Sequence, residues 1–164
     1  MSAPALSPVL EELRARAPAE FFAALLAPPD RRDTLAALWL MELETARVPA
    51  LSENPIIGLM RLQFWRDAIE TATDGRRLAH PAVDVLRAAV REGTLEAALL
   101  AEHFDAREAV LSGAEADAAA PIARLATALA GARVARLPGV AARHEKFGTR
   151  ARLAMLWAWA VGRS

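Results

Sequence analysis

Two carboxylates, Glu42 and Glu44, are the first candidates for chemistry, because a pair of acids can hold a metal ion or transfer a proton. They lie two positions apart in a segment of helical composition. Side chains at that spacing point about 200° apart on a helix and cannot share one ion. The pattern therefore favours a solvated or ion-paired helix face over a metal site.

The histidines also give no metal site. His80, His103 and His144 are far apart, and only His103 has acids beside it, Glu102 and Asp105. A zinc site needs three or four convergent ligands. The chain has no cysteine, which excludes disulfides, thiolate ligands and cysteine nucleophiles. It contains neither a phosphate-binding P-loop nor a nucleophile elbow, so we expect no catalytic residues, no metal and no cofactor.

The composition indicates a helical protein without nucleic-acid affinity. Hydrophobic residues make up 54% of the chain, and much of this fraction is alanine, the best helix former. The 20 basic and 20 acidic residues balance, so no positive field favours nucleic acid. No run of apolar residues is long enough to span a membrane. We expect a cytoplasmic location, with peripheral contact at the cytoplasmic face of the inner membrane left open.

Proline and capping residues predict successive helices in one domain, 1–164. The predicted helix starts lie at Pro8, Pro18, Asp30, Pro55, Pro81 and Thr94. The longest helix, Pro55 to Thr73, carries apolar residues around most of its circumference, which predicts that it is buried among several others. Residues 131–148 form a predicted linker, and a last helix is predicted from near Thr149.

Three stretches of the chain resemble the squalene/phytoene synthase family. They are Leu26-Ala27-Pro28-Pro29-Asp30-Arg31-Arg32, Leu38-Trp39-Leu40-Met41 and the segment 52–66 with its Arg-Leu-Gln-Phe-Trp-Arg run. The resemblance has fair specificity over Phe21 to Glu70, is weak over 147–164, and is absent over roughly 100–146. It implies an all-α fold, a shortened prenyl-synthase-like helical domain without the middle helices.

The residues that carry the family's reaction are not matched. Alignment from Leu38 places the three aspartates of the family's first magnesium motif near Ala46, Arg47 and Ala50. Mg²⁺ requires oxygen ligands, which alanine cannot supply. The second aspartate-rich motif is not found. The resemblance therefore implies a degenerate, non-catalytic member.

Within the family, the segment 52–66 is most similar to a branch that holds divergent bacterial members and a mitochondrial complex I assembly factor. This similarity implies an accessory or assembly role at a respiratory membrane complex, most readily complex I (NADH:quinone oxidoreductase). The partner would then be a larger protein complex, and not nucleic acid.

Arginine and the few large aromatic residues are the side chains that most often anchor protein interfaces. The predicted partner-binding residues are Trp39, Arg61, Phe64, Trp65, Arg66, Arg150, Arg152, Trp157 and Trp159. For Arg61 and Arg66 the alternative is a structural network, because arginine on a buried helix needs a carboxylate. For the C-terminal set the alternative is a helix that packs its Leu/Trp face on its own domain and leaves a basic edge in solvent.

Two other functions stay open on the sequence. The chain could bind or condense prenyl diphosphates if a partner chain supplied the missing acidic motif. It could also hold a lipid or quinone in the family's cavity, although missing middle helices would open that cavity. Mg²⁺-dependent binding of a prenyl diphosphate distinguishes the enzyme from a docking subunit.

Overall fold

The computed structural model describes residues 5–51, 54–70 and 80–138. Within these ranges the chain forms seven α-helices, one 3₁₀ turn and no strand, which confirms the predicted all-α fold. The helices are α1 (Pro8–Arg16), α2 (Pro18–Leu26), α3 (Arg32–Leu51), α4 (Pro55–Glu70), α5 (Pro81–Arg91), α6 (Ala97–Leu111) and α7 (Ala119–Ala135).

Local sequence signals set several helix starts. The Ser7 hydroxyl accepts the backbone N–H of Leu10, and Pro8 occupies the first turn, where its missing N–H costs nothing. At α4, the Asn54 side chain accepts the backbone N–H of Ile56 at 3.0 Å. The sequence predicted the starts of α1, α2, α4 and α5, because proline and cap chemistry act over a few residues.

Three predicted boundaries differ from the observed helices. Thr94 does not cap α6, which begins at Ala97; the backbone N–H of Thr94 donates instead to the Ala89 carbonyl oxygen near the end of α5. Asp30 lies in the 3₁₀ turn Pro29–Arg31 and pairs with Arg31 at 3.0 Å, and α3 begins at Arg32, one residue later than a cap at Asp30 would place it. Pro49 does not end α3, which continues to Leu51. A proline near the end of a helix removes a single backbone hydrogen bond, and the last turn can persist without it.

The central element is α3, which packs against α1, α2, α4, α5 and α7. Its residues from Leu35 to Met41 are buried on every side. A helix that is apolar all round has to be surrounded by others. The core therefore forms around the first half of α3, and the second half reaches the molecular surface, where Ala46, Arg47 and Ala50 are exposed.

The helix α4 lies close to α3 and α6 because Gly58 has no side chain. A Cβ atom at that position would lie 3.0 Å from a Leu111 methyl and 3.1 Å from a Val48 methyl. This close approach fixes which side of α4 faces the core.

The helix α7 runs through part of the predicted linker. It bends at Gly131, which has a φ of 83°, and continues to Ala135. Residues 132–135 are therefore helical, contrary to the predicted linker of 131–148. The predicted last helix lies outside the described residues. Among the helices in the three described ranges, none is long and apolar enough to cross a bilayer.

Candidate interaction surface

One side of α4 presents large apolar side chains to solvent. Ile56, Met60 and Phe64 are 62%, 68% and 49% exposed, and Ile57 and Leu59 are exposed beside them. We call these five residues the α4 apolar face. The prediction that α4 is buried all round is wrong: within the described residues, helices pack against α4 on the side that carries Leu62, Trp65 and Ile69.

Three residues of the α4 apolar face, Ile57, Met60 and Phe64, form one wall of an open cleft of about 490 Å³. The rest of the cleft lining comes from Arg61 and Trp65 of α4, from Glu44 and Val48 of α3, and from His80. Glu44 pairs with Arg16, which is also 3.0 Å from Glu12. The cleft is thus apolar, with an ion pair on the α3 side and the exposed Arg61 on the α4 side.

The predicted partner-binding residues of the first half divide into exposed and buried sets. Arg61 and Phe64 are exposed and line the cleft. Trp39 and Trp65 are each only 6% exposed and belong to the core. The edge of the Trp65 ring packs against His80 with centroids 4.8 Å apart, and Phe64 meets Trp65 edge-on at 6.4 Å. Trp65 therefore forms the buried base of the cleft.

Arg66 takes part in a structural network. Its guanidinium donates to Asp105 at 2.8 Å and to Glu108 at 2.9 Å, and it lies 5.6 Å from the centre of the Phe104 ring. These contacts tie α4 to α6. They match the alternative that the sequence offered for this residue, an arginine held by carboxylates.

A buried polar cluster joins α3, α6 and the start of α7. The His103 ring is fully buried, with Nδ1 2.7 Å from the Ala118 carbonyl oxygen and Nε2 3.0 Å from the Thr45 hydroxyl. A carbonyl oxygen can only accept, so Nδ1 carries the proton and Nε2 is an acceptor. The Thr45 hydroxyl also lies 3.0 Å from the Met41 carbonyl oxygen and has one proton to donate to either acceptor. Glu42 lies 3.6 Å from Nε2 and accepts from Arg107 at 2.6 Å.

Burial sets the charge states in this cluster. It lowers the pKa of His103 to about 4, helped by the nearby positive Arg107 and opposed by the Ala118 hydrogen bond. Burial also raises the pKa of Glu42, although Arg107 acts in the opposite direction. The sequence does not reveal the cluster, because Thr45 and His103 are 58 positions apart.

The cluster links helices and does not line the cleft, whose walls include neither His103 nor Glu42. In the part of the chain that the structure describes, no three acids or histidines converge closely enough to hold a metal ion. The hydrogen bonds of Thr45 with His103 and of Glu42 with Arg107 hold α6 against α3. The remaining predicted residues, Arg150, Arg152, Trp157 and Trp159, lie outside the described residues.

The model of the family described as squalene/phytoene synthase matches residues 13–127. The chain belongs to the squalene/phytoene synthase family. The match extends beyond the resemblance seen over Phe21 to Glu70, because it includes residues 100–127, where no family motif was recognised, and it does not reach 147–164.

The relatives include proteins named NADH dehydrogenase (ubiquinone) complex I, assembly factor 6. Those of Bos taurus, Rattus norvegicus and Homo sapiens are 31%, 33% and 32% identical to this squalene/phytoene synthase family member over 99 residues. The matched part is 60% of this chain and 30% of each relative, so the chain spans about a third of their length. No solved structure gives a significant match.

Proposed function

We propose that this squalene/phytoene synthase family member is a non-catalytic interaction protein, an accessory or assembly protein of respiratory complex I. The observation that carries the proposal is the α4 apolar face, where three large side chains are about half exposed or more. Contiguous apolar surface of this kind marks protein interaction sites. The names of the relatives, which are complex I assembly factors, support complex I as the class of partner.

The positions of the family's first magnesium motif favour binding over catalysis. Ala46, Arg47 and Ala50 are exposed on the second half of α3 and offer no carboxylate. An exposed arginine there favours an anion over a metal cation. We infer that this surface of α3 has lost metal binding, and that the adjoining cleft serves for contact with protein.

The proposed contact consists of the α4 apolar face and Arg61, with Trp39 and Trp65 as the core that keeps α4 in place. Of the other predicted partner-binding residues, Arg66 keeps a structural role between α4 and α6. The C-terminal arginines and tryptophans remain proposed contacts. Because complex I is a membrane assembly, we propose a peripheral location at the cytoplasmic face of the inner membrane.

The test is affinity purification of the tagged chain from gently solubilised membranes of its own organism, with complex I subunits identified by mass spectrometry. The informative variant is Met60→Glu with Phe64→Glu, which places two charges on the α4 apolar face. The matched control is Ala128→Glu, an exposed position of α7. We expect the double variant to lose complex I subunits and the control to retain them. Recovery of the wild-type chain alone would refute the proposal.

Membership of the family supports a second candidate, a prenyl-diphosphate-binding protein that takes its acidic motif from a partner chain. Its signature is Mg²⁺-dependent binding of farnesyl or geranylgeranyl diphosphate. Isothermal titration of the purified chain with each ligand, with Mg²⁺ and then with EDTA, measures this directly. We expect no magnesium-dependent heat, and a saturable one would favour the enzyme.

A further inference from the structure

The cleft beside the α4 apolar face holds a positive charge that the described residues do not neutralise. Arg61 lines the cleft and is exposed, whereas the acid among the lining residues, Glu44, pairs with Arg16. None of the ion pairs among the described residues includes Arg61. The cleft therefore combines apolar walls with a guanidinium that is available to an incoming group.

Arg61 lies on α4 between the apolar face and the core. Successive residues of a helix turn by about 100°. Ile57 and Phe64 are therefore about 40° and 60° from Arg61 on one side, and the buried Trp65 is about 40° from it on the other. Gly58, which lies against α3, is on the same side as Trp65. A molecule that enters the cleft and covers Ile57 and Phe64 must therefore also cover Arg61.

Covering Arg61 determines the charge of the occupant. A guanidinium that is removed from water without a counter-charge opposes binding, whereas a guanidinium that is paired across the interface favours it. A carboxylate matches the planar fork of guanidinium donors, because its two oxygens accept two parallel N–H···O bonds. The occupant that fits the cleft therefore carries a carboxylate at the edge of an apolar surface.

The apolar wall of the cleft fits a helix. Ile57, Met60 and Phe64 follow one another at intervals of three and four, and they extend over two turns of α4, or about 10 Å. Helices pack by inserting rows of side chains at this spacing into the grooves of a neighbouring helix. Amphipathic segments dock in apolar grooves through anchors at the same spacing. The occupant is therefore best matched by a helix of at least two turns.

A second copy of this chain does not match both the apolar and the charged positions. Antiparallel α4 helices that bring Arg61 level with the exposed Asp67 of the other copy put Met60 level with Ala68, which is buried in its own domain. The register that centres the contact on Met60 puts Arg61 level with Leu59 and leaves it unpaired. Charge complementarity thus favours a different protein over self-association.

We propose that the cleft binds an amphipathic helix of a partner protein, and that this helix pairs an Asp or Glu at the edge of its apolar face with Arg61. The apolar residues of the partner helix lie over Ile57, Met60 and Phe64. The identity of the partner as a complex I protein rests on the proposed function, whereas its chemistry rests on the cleft alone.

Photo-crosslinking reads the chemistry of the occupant directly. The tagged full chain carries p-benzoylphenylalanine in place of Phe64, which is 49% exposed in the cleft, and it is irradiated in cells of its own organism. The crosslinked peptide is then sequenced by mass spectrometry. The matched control carries the same photoreactive residue in place of Ala128, an exposed position of α7.

We expect position 64, and not position 128, to crosslink to a segment with apolar residues three and four apart and an Asp or Glu within about one helical turn of the crosslink. A crosslinked segment without an acid would overturn the proposal. Crosslinking to a second copy of this chain, to a lipid, or to nothing would overturn it as well.

Charge variants of Arg61 measure the ion pair. The purification described above is repeated with Arg61→Glu, with Arg61→Lys and with the control Arg136→Glu, an exposed position at the end of α7. Because a reversed charge repels the carboxylate, we expect Arg61→Glu to recover at least about tenfold less complex I than the wild type. Arg61→Lys keeps the charge and should lose only about threefold, while the control is unchanged.

The outcomes separate this inference from the proposed function. Full recovery with Arg61→Glu, together with loss in the variant of Met60→Glu with Phe64→Glu, would overturn the acidic partner helix and leave the proposed function intact. A crosslinked acidic, amphipathic helix from a protein outside complex I would support the inference and refute the proposed function.

Discussion

Acidification should destabilise this protein through one residue, His103. The ring is fully buried and bonded through Nδ1–H to the Ala118 carbonyl, and burial lowers its pKa to about 4 from its ordinary value of 6.5. In the unfolded chain the same ring accepts a proton near its ordinary pKa. Between these two values the unfolded state binds more protons than the folded state, so stability falls as the pH falls.

The size of the effect follows from the two pKa values. The contribution of His103 is fully present above pH 6.5 and is lost progressively down to about pH 4. The full difference corresponds to about 3 kcal/mol, of which about 2 kcal/mol is lost by pH 5. Glu42 acts with the opposite sign: its raised pKa means that acidification restores stability. The net loss in the wild type is therefore smaller than the contribution of His103 alone.

The assay compares the wild type with His103→Asn, whose amide can still donate to the Ala118 carbonyl. Urea denaturation at pH 8, 6 and 5 gives the free energy of unfolding for both proteins. We expect the variant to be less stable at pH 8, with the difference shrinking by about 2 kcal/mol towards pH 5. Glu42 is present in both proteins, so its contribution cancels to first order. A difference that is independent of pH would refute the assignment of a buried, neutral His103.

Two further predictions concern the contacts of α4. Gly58→Leu should lower the free energy of unfolding by about 1–3 kcal/mol, because even a Cβ atom at this position would lie only 3.0 Å from a Leu111 methyl. An unchanged midpoint of thermal unfolding would contradict the close approach of α4 to its neighbours. A double-mutant cycle of Arg66→Ala and Glu108→Ala, measured by urea denaturation, should give a coupling energy of about 0.5–1 kcal/mol, since both side chains are partly exposed. Zero coupling would show that this ion pair does not stabilise the fold.

Several local features were predictable because they depend on residues close in sequence. The starts of α1 and α4 follow from a polar cap before a proline. The pairing of Gln63 with Asp67, at 2.6 Å, follows from their spacing of four on one helix. For Arg66, predicted as a partner-binding residue, the sequence offered pairing with carboxylates as the alternative, because a buried arginine needs them, but it could not say which ones.

The sequence by itself determined the helical class and the family, because both follow from residue types and local motifs. The tertiary structure alone decided which side of α4 is exposed. Hydrophobicity is a property of each residue, whereas burial depends on which helices are available to pack against it. For the same reason, the grouping of Glu42, Thr45 and His103 appears only in the fold, where α6 brings His103 against α3.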